Sequence, residues 1–180
     1  MSSLTYLTVL SLLALAASPP SGASADVAAP SPRRAPRGPA IAAQFLSLIN
    51  AVRADAGVPP LSWNATAAQR AKLHASWLRD SAGCDLDQKE RAPVRVEMGT
   101  AMTWYRGYDG RPTPADAVAL WLTERPWYDR AADTCAAGQE CGNYRLVVKP
   151  EWRQLGCALV ACPSGGAVAA CAYRRGLGTK

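Results

Sequence analysis

The sequence is nearly devoid of histidine: His74 is the single imidazole among 180 residues. A zinc site built on paired imidazoles is therefore excluded by the inventory of side chains alone. The cysteines offer no substitute, because their closest pairs, Cys157 with Cys162 and Cys135 with Cys141, are spaced too widely for a zinc knuckle. We therefore expect a protein that works without a bound metal and without a cofactor.

Dense positive charge and long apolar runs are also lacking. The Lys and Arg residues are scattered, and the formal net charge of +6 falls to +4 over residues 41–180. Nucleic acid is a poor candidate partner for so dispersed a charge, whereas loose attraction to anionic cell-wall polymers or membrane surfaces is compatible with it. No apolar run reaches the about 20 residues that a membrane-spanning helix needs, so we expect no transmembrane segment.

The N-terminal part predicts two segments that precede the folded domain. Residues 4–17 form an uncharged apolar run of 14 residues, followed by two prolines and the small-residue site 23–25. This is the pattern of a secretory signal peptide, 1–25. Residues 26–40 are mainly Pro, Ala, Ser and Arg, which predicts a disordered linker. Residues 41–173 are then expected to form one domain around one core, as a monomer, before a short basic tail, 174–180.

A secreted chain is open to two covalent modifications. Six cysteines, an even number, lie between residues 84 and 171 and predict three disulfides, although spacing alone leaves their connectivity open. Asn64-Ala65-Thr66 is an N-glycosylation sequon. Asn64 is therefore a candidate glycosylation site.

Apolar periodicity predicts three helices. The first covers residues 41–52, and the second runs from about 64 to 80. The second helix carries His74 on its apolar stripe, so we expect this imidazole to be a hydrogen-bonded core residue rather than a catalyst. The third opens at Thr113-Pro114-Ala115-Asp116, with a cap residue, a proline in the first turn and a carboxylate three residues after the cap, and Pro126 ends it.

Short β-branched or apolar runs follow Cys141. They predict antiparallel strands over residues 144–148, 155–160 and 167–173, and a further strand at 94–98. Helices come first and strands afterwards, with too few helices between the strands for a parallel sheet. The order predicts an α+β layered domain.

Several short strings follow one another in a distinctive order along nearly all of residues 41–173. They are Leu61-Ser62-Trp63, Gly83-Cys84, Trp121-Leu122-Thr123-Glu124-Arg125-Pro126, Cys135-Ala136-Ala137-Gly138 with Cys141-Gly142, Leu155-Gly156-Cys157-Ala158, and Cys171-Ala172-Tyr173. Together they resemble the CAP superfamily and, more narrowly, plant pathogenesis-related 1 proteins. The resemblance implies a three-layer α-β-α sandwich with a central, mainly antiparallel sheet.

The resemblance also implies a disulfide pairing. Carried over to this chain, it joins Cys84 to Cys162, Cys135 to Cys141, and Cys157 to Cys171. Each bridge contributes roughly 2–4 kcal/mol to stability. Such a scaffold suits a protein exposed to extracellular proteases.

Members of this family place two His and two Glu around a central cleft, where imidazoles can ligate a divalent metal. The glutamates correspond to Glu97 and Glu124, whereas the histidine positions fall on Gln88 and Asn143. Amides cannot replace imidazole as zinc ligands. We therefore expect a degenerate, metal-free cleft formed by these four residues.

The resemblance implies an extracellular, apoplastic role in plant defence, with non-enzymatic binding of sterols or other lipids as the biochemical activity. An aromatic and flexible stretch could line an apolar groove for such a ligand. Its candidate residues are Met98, Met102, Trp104, Tyr105 and Tyr108. The alternative is a loop that packs its own aromatic side chains onto the core.

A hydrolase is the alternative function. If Glu97 and Glu124 faced each other in a water-poor cleft, repulsion and desolvation would raise the pKa of at least one carboxyl, with Asn143 as a neutral donor. The competing interpretation is an inert cleft in which one carboxylate lies at the surface or pairs with an arginine such as Arg145.

A third family role is the release of a C-terminal signal peptide, marked by a Cys-Asn-Tyr motif and a tail with proline and glycine. The corresponding residues here are Cys171-Ala172-Tyr173, and the tail after them has no proline. The sequence therefore argues against release by that route.

Overall fold

The computed structural model describes residues 38–92 and 100–176. Several predictions lie outside the described residues: the signal peptide 1–25, linker residues 26–37, the strand at 94–98 with Glu97 and Met98, and tail residues 177–180. The first helix begins at Gly38, so it includes the last three residues assigned to the linker.

Four α-helices, six strands and two 3₁₀ turns make up the described part. In chain order they are α1 (Gly38–Asp55), β1 (Ser62–Trp63), α2 (Ala65–Ser81), a 3₁₀ turn (Leu86–Arg91), β2 (Thr100–Gly107), α3 (Pro114–Leu122), a second 3₁₀ turn (Arg125–Trp127), β3 (Tyr128–Asp129), β4 (Thr134–Cys135), α4 (Gly142–Val148), β5 (Trp152–Ala161) and β6 (Ala167–Arg175). No helix within these ranges is long and apolar enough to cross a bilayer.

The main sheet has the strand order β1-β5-β6-β2. β6 pairs antiparallel with both β5 and β2, and only the two-residue β1 runs parallel to its neighbour β5. β3 and β4 form a separate antiparallel pair. The predicted α+β fold with a mainly antiparallel sheet is confirmed.

Helices cover both faces of this sheet. α2 packs on β5 and β6 from one side, while α1, α3 and α4 pack together on the other. Strand β6 contributes to the hydrophobic cores on both faces of the sheet, because its successive side chains point to opposite faces. Val168, Ala170 and Ala172 join the core under α2, whereas Ala169, Cys171 and Tyr173 join the core under the other three helices. The arrangement is the expected three-layer sandwich.

Helix α2 lies unusually close to the sheet at Gly156. A Cβ at this position would collide with the backbone nitrogen of Ala68, so a residue without a side chain is required. The helix begins at Asn64, whose Oδ1 accepts from the Ala67 N–H at 2.8 Å and whose Nδ2 donates to Gln154 Oε1 at 2.8 Å. The asparagine of the sequon is therefore the N-cap of α2 and a link to β5.

Two sequence predictions of secondary structure were wrong. Residues 144–148 form the last five residues of α4 rather than a strand. Tyr144, Val147 and Val148 are buried, a spacing of three and four that fits a helix as well as the short apolar run fits a strand. The aromatic stretch before α3 includes the eight-residue strand β2, which pairs along its whole length with β6.

Three disulfides staple the sandwich, and no free cysteine occurs in the chain. Cys84 and Cys162 join the end of α2 to the end of β5. Cys135 and Cys141 close the loop before α4, and Cys157 and Cys171 lie directly opposite each other on β5 and β6. This is the pairing that the family resemblance implies.

A fully buried arginine, which the sequence did not reveal, joins α1 to the opposite end of the domain. Arg53 has no exposed surface, and its guanidinium donates to backbone carbonyls of Pro59, Val147 and Lys149 at 2.8, 2.7 and 3.0 Å. Burial lowers the pKa of Arg53. The side chain thus donates to carbonyls at the C-terminal end of α4, where no further helical turn supplies N–H donors.

Candidate functional site

Glu124 and Asn143, two of the four residues predicted to form the cleft, are hydrogen-bonded to each other. Glu124 follows the end of α3, and Asn143 is the second residue of α4. Asn143 Nδ2 donates to Glu124 Oε1 at 2.7 Å, and the Tyr144 N–H donates to Glu124 Oε2 at 2.9 Å. Both carboxylate oxygens are therefore acceptors. The carboxylate satisfies one of the unpaired N–H groups at the start of α4, where negative charge is favoured.

Asn143 extends this contact to the sheet. Its Oδ1 accepts from the Trp104 N–H of β2 at 3.1 Å, and the Trp104 carbonyl accepts from Trp121 Nε1 of α3 at 2.7 Å. The amide therefore uses its donor on Glu124 and its acceptor on β2. A neutral amide can make both bonds at once, and the result is a continuous chain of hydrogen bonds through α3, β2 and α4.

Gln88, a third predicted cleft residue, makes no hydrogen bond to this pair. Gln88 lies on the first 3₁₀ turn, where its Nε2 donates to Asp85 Oδ2 at 3.5 Å. Glu97 lies outside the described residues. Within residues 38–92 and 100–176, no three His, Cys, Asp or Glu side chains are grouped as a metal site would require.

Arg145 does not pair with Glu124. Its guanidinium binds both oxygens of Asp133, at 2.7 and 2.8 Å, and Tyr128 and Lys149 donate to the same carboxylate at 2.9 and 3.3 Å. Arg145 beside it holds the pKa of Asp133 well below its usual range. Burial, reinforced by Asp133, raises the pKa of Tyr128 to about 12. This ion-pair cluster therefore links β3 and the loop after it to α4.

The described residues of the predicted aromatic stretch lie on both faces of the sheet and beyond it. Because side chains alternate along β2, Met102 and Trp104 pack toward the core under α2, whereas Tyr105 packs toward the other core. Tyr108 lies beyond the strand and is largely exposed. His74 is in the core, as expected, with 4% of its surface exposed and its ring 5.8 Å from that of Trp104.

An apolar groove of about 690 Å³, missed from the sequence, opens at the β5 edge of the sheet. β1 pairs with β5 only at Gln154 and Leu155, and no described strand continues the sheet on that side. The N-terminal turn of α1 and the first turns of α2 form the walls. The lining residues are Pro39, Ile41, Ala42, Trp63, Ala65, Ala68, Gln69, Lys72, Cys157, Ala158, Leu159 and Val160.

A family model described as the cysteine-rich secretory protein family, CAP, matches residues 46–173. The chain belongs to this family. Among its relatives, pathogenesis-related protein 1A of Nicotiana tabacum is 37% identical over 129 residues, which cover 72% of this chain and 71% of the relative. Pathogenesis-related leaf protein 4 of Solanum lycopersicum is 33% identical, covering 72% and 74%.

Solved structures of CAP proteins share the fold. Venom allergen-like protein 4 of Schistosoma mansoni superposes with a TM-score of 0.56 at 22% identity, covering 74% of this chain and 87% of the other. NaASP2, solved with Zn²⁺, superposes with a TM-score of 0.53 at 17% identity, covering 73% and 77%. In this CAP domain the Glu124 carboxylate, a predicted cleft residue, is bound by an amide and a backbone N–H.

Proposed function

We propose that this CAP protein is a secreted, extracellular defence protein of the apoplast that binds sterols or other lipids and has no catalytic activity of its own. Membership of a secretory protein family and the pathogenesis-related relatives support the defence role. The lipid role has a separate support in the groove at the β5 edge.

The groove is the observation that carries the proposal. Its volume of about 690 Å³ falls within the roughly 300–1,000 Å³ typical of small-molecule sites. Ten of its twelve lining residues are apolar, which suits a ligand that is mostly hydrocarbon. Lys72 is exposed and Gln69 lies beside it on α2, so the groove also offers polar contacts for a hydroxyl or an anionic headgroup.

The hydrolase alternative has weaker support. Both oxygens of Glu124 already accept hydrogen bonds from α4, so its position favours a structural role. We also propose that the cleft holds no zinc, because Asn143 supplies an amide where a zinc site would need an imidazole.

Binding of a fluorescent sterol to the purified protein tests this proposal, with a matched pair of variants on α1. Ala42 lines the groove, whereas its neighbour Ala43 is exposed and does not. Ala42→Trp fills the groove. Losing about 60 Å² of apolar contact at roughly 25 cal/mol per Å² corresponds to about a tenfold weaker affinity. Ala43→Trp should bind as the parent does.

Two outcomes would contradict the proposal. The first is the absence of saturable binding of any sterol or fatty acid by the folded parent protein. The second is equal affinity in the Ala42→Trp and Ala43→Trp variants, which would show that the ligand lies elsewhere.

A further inference from the structure

A second, smaller pocket of about 270 Å³ lies between the C-terminal end of α1, the Arg125–Trp127 turn, β3 and α4. It shares no lining residue with the apolar groove. Its polar lining consists of Asp55, Arg125, Tyr128, Arg130 and Tyr144. Two guanidinium groups and one carboxylate therefore lie within this small space.

Tyr144 is the observation that points to a ligand. The residue is only 6% exposed and lines this pocket. Its hydroxyl makes no hydrogen bond to any residue that the structure describes, and it is not sealed in the core either. A tyrosine hydroxyl that is withdrawn from bulk water normally finds a partner. No described residue supplies that partner here, so the hydroxyl is open to water or to a ligand that enters the pocket.

The two arginines supply the charge. Arg125 is exposed, and its guanidinium makes no hydrogen bond or ion pair with the described parts of the chain. Arg130 donates one N–H to the carbonyl of Ala56, which leaves its other N–H groups available. Arginine presents planar, paired donors that match the oxygens of a phosphate group. The hydroxyl of Tyr128 is already donated to Asp133, so its ring serves as a wall beside Tyr144.

Asp55 adds a carboxylate to the lining of the pocket. It is the last residue of α1, where the helix dipole disfavours a carboxylate, and it forms no ion pair within the described ranges. A bare anion would be repelled by this group. A ligand that carries a hydroxyl next to its anionic group would instead donate a hydrogen bond to Asp55.

We infer that this pocket binds a small phosphate monoester of a polyol. The phosphate accepts hydrogen bonds from Arg125, Arg130 and the Tyr144 hydroxyl, and a neighbouring hydroxyl of the ligand donates to Asp55. The site is independent of the lipid groove, so its failure would leave the proposed function untouched, and the converse also holds.

Calorimetric titration of the purified protein with glycerol 3-phosphate and with inorganic phosphate tests the inference. Glycerol 3-phosphate should bind more tightly than inorganic phosphate. Arg125→Gln should weaken both by about tenfold or more, since it removes a charge-assisted bond. Tyr144→Phe, which removes only the hydroxyl, should weaken both by a few fold. Arg111→Gln, the same charge change at an exposed arginine outside the pocket, should have no effect.

Asp55→Asn provides a change of opposite sign. Removing this carboxylate should strengthen the binding of inorganic phosphate and reduce the preference for the glycerol ester. A variant that merely disturbed the fold would weaken both ligands. Vesicles of phosphatidylcholine with phosphatidic acid distinguish a lipid phosphate from a soluble one, and binding to them that Arg125→Gln abolishes would support the same site. Absence of saturable binding to all three probes, or equal losses in Arg125→Gln and Arg111→Gln, would overturn the inference.

Discussion

Replacing Glu124 by alanine removes the carboxylate that joins the end of α3 to the start of α4. The change breaks the bonds to Asn143 Nδ2 at 2.7 Å and to the Tyr144 N–H at 2.9 Å. A hydrogen bond to a charged group contributes about 1.5–3 kcal/mol when it is shielded from water, and Glu124 is partly exposed. We therefore take the low end for each of the two bonds and expect a loss of about 3 kcal/mol in the free energy of unfolding.

The variant Glu124→Gln keeps the shape of the side chain and removes its charge, so it tests how much of the stability loss is due to charge. Glu124→Gln retains one acceptor oxygen, but its NH₂ group must then face a donor on α4. We expect it to lose about half as much stability as Glu124→Ala. Asn143→Ala breaks the same contact from the other side, together with the bond from the Trp104 N–H. The double variant Glu124→Ala/Asn143→Ala should therefore be more stable than the sum of the single losses predicts, by about 1 kcal/mol.

Urea unfolding followed by circular dichroism measures these values, and Glu140→Ala is the matched control. Glu140 is exposed, lies just before α4 and makes no hydrogen bond or ion pair with the described residues. Its replacement should change stability by less than about 0.5 kcal/mol. If Glu124→Ala were as stable as Glu140→Ala, or if the double variant showed no coupling, the structural role assigned to Glu124 would be refuted.

Three further predictions concern the ion pair, the core and the metal. Arg145 keeps the pKa of Asp133 low in the folded state, so the stability it contributes is present above about pH 4 and is lost as the pH falls below that value; the stability difference between the parent and Asp133→Asn in urea unfolding should shrink on acidification, and a constant difference would contradict this. His74→Asp should cost several kcal/mol by burying a charge, while His74→Phe should be better tolerated, as thermal melts can show; an unchanged melting temperature for His74→Asp would contradict its place in the core. Calorimetry should detect no stoichiometric zinc binding by the parent protein at micromolar concentration, whereas the double variant Asn143→His/Gln88→His should bind zinc. Tight one-to-one zinc binding by the parent that Glu124→Ala abolishes would contradict this prediction.

Much of the fold could be predicted because its signals are local. The capping box at Thr113 and Asp116 is present, with the Asp116 carboxylate accepting from the Thr113 N–H at 2.7 Å. α3 ends at Leu122, before Pro126, as expected. The short β-branched or apolar runs at 155–160 and 167–173 also predicted β5 and β6, although the observed strands are longer, Trp152–Ala161 and Ala167–Arg175.

The wrong predictions concern residues whose secondary structure or burial depends on contacts with distant parts of the chain. α4 has seven residues, too few for periodicity to separate a helix from a strand, and its ends are held by Glu124 and Arg53 from distant parts of the chain. The sequence contains 20 Lys and Arg residues and gives no sign that Arg53 is the buried one. The contact between Glu124 and Asn143 was predicted only as two positions of one cleft, and their direct bond required the structure.

The groove was missed for a related reason. Ala158, Leu159 and Val160 indicate a strand, but their exposure on one side depends on β1 ending after two residues. A short parallel strand has no sequence signal of its own. The aromatic stretch looked like the better lipid site because exposure along β2 cannot be read without its pairing to β6.

Photoaffinity labelling tests the central claim, that the groove at the β5 edge is a lipid site. A sterol carrying a photoreactive group on its ring system would be cross-linked to the purified protein, and the labelled peptides identified by mass spectrometry with and without excess unlabelled sterol. We predict competed cross-links within residues 39–42, 63–72 or 157–160, which line the groove. Competed cross-links confined to residues 102–108, or labelling that excess sterol does not reduce, would contradict the account.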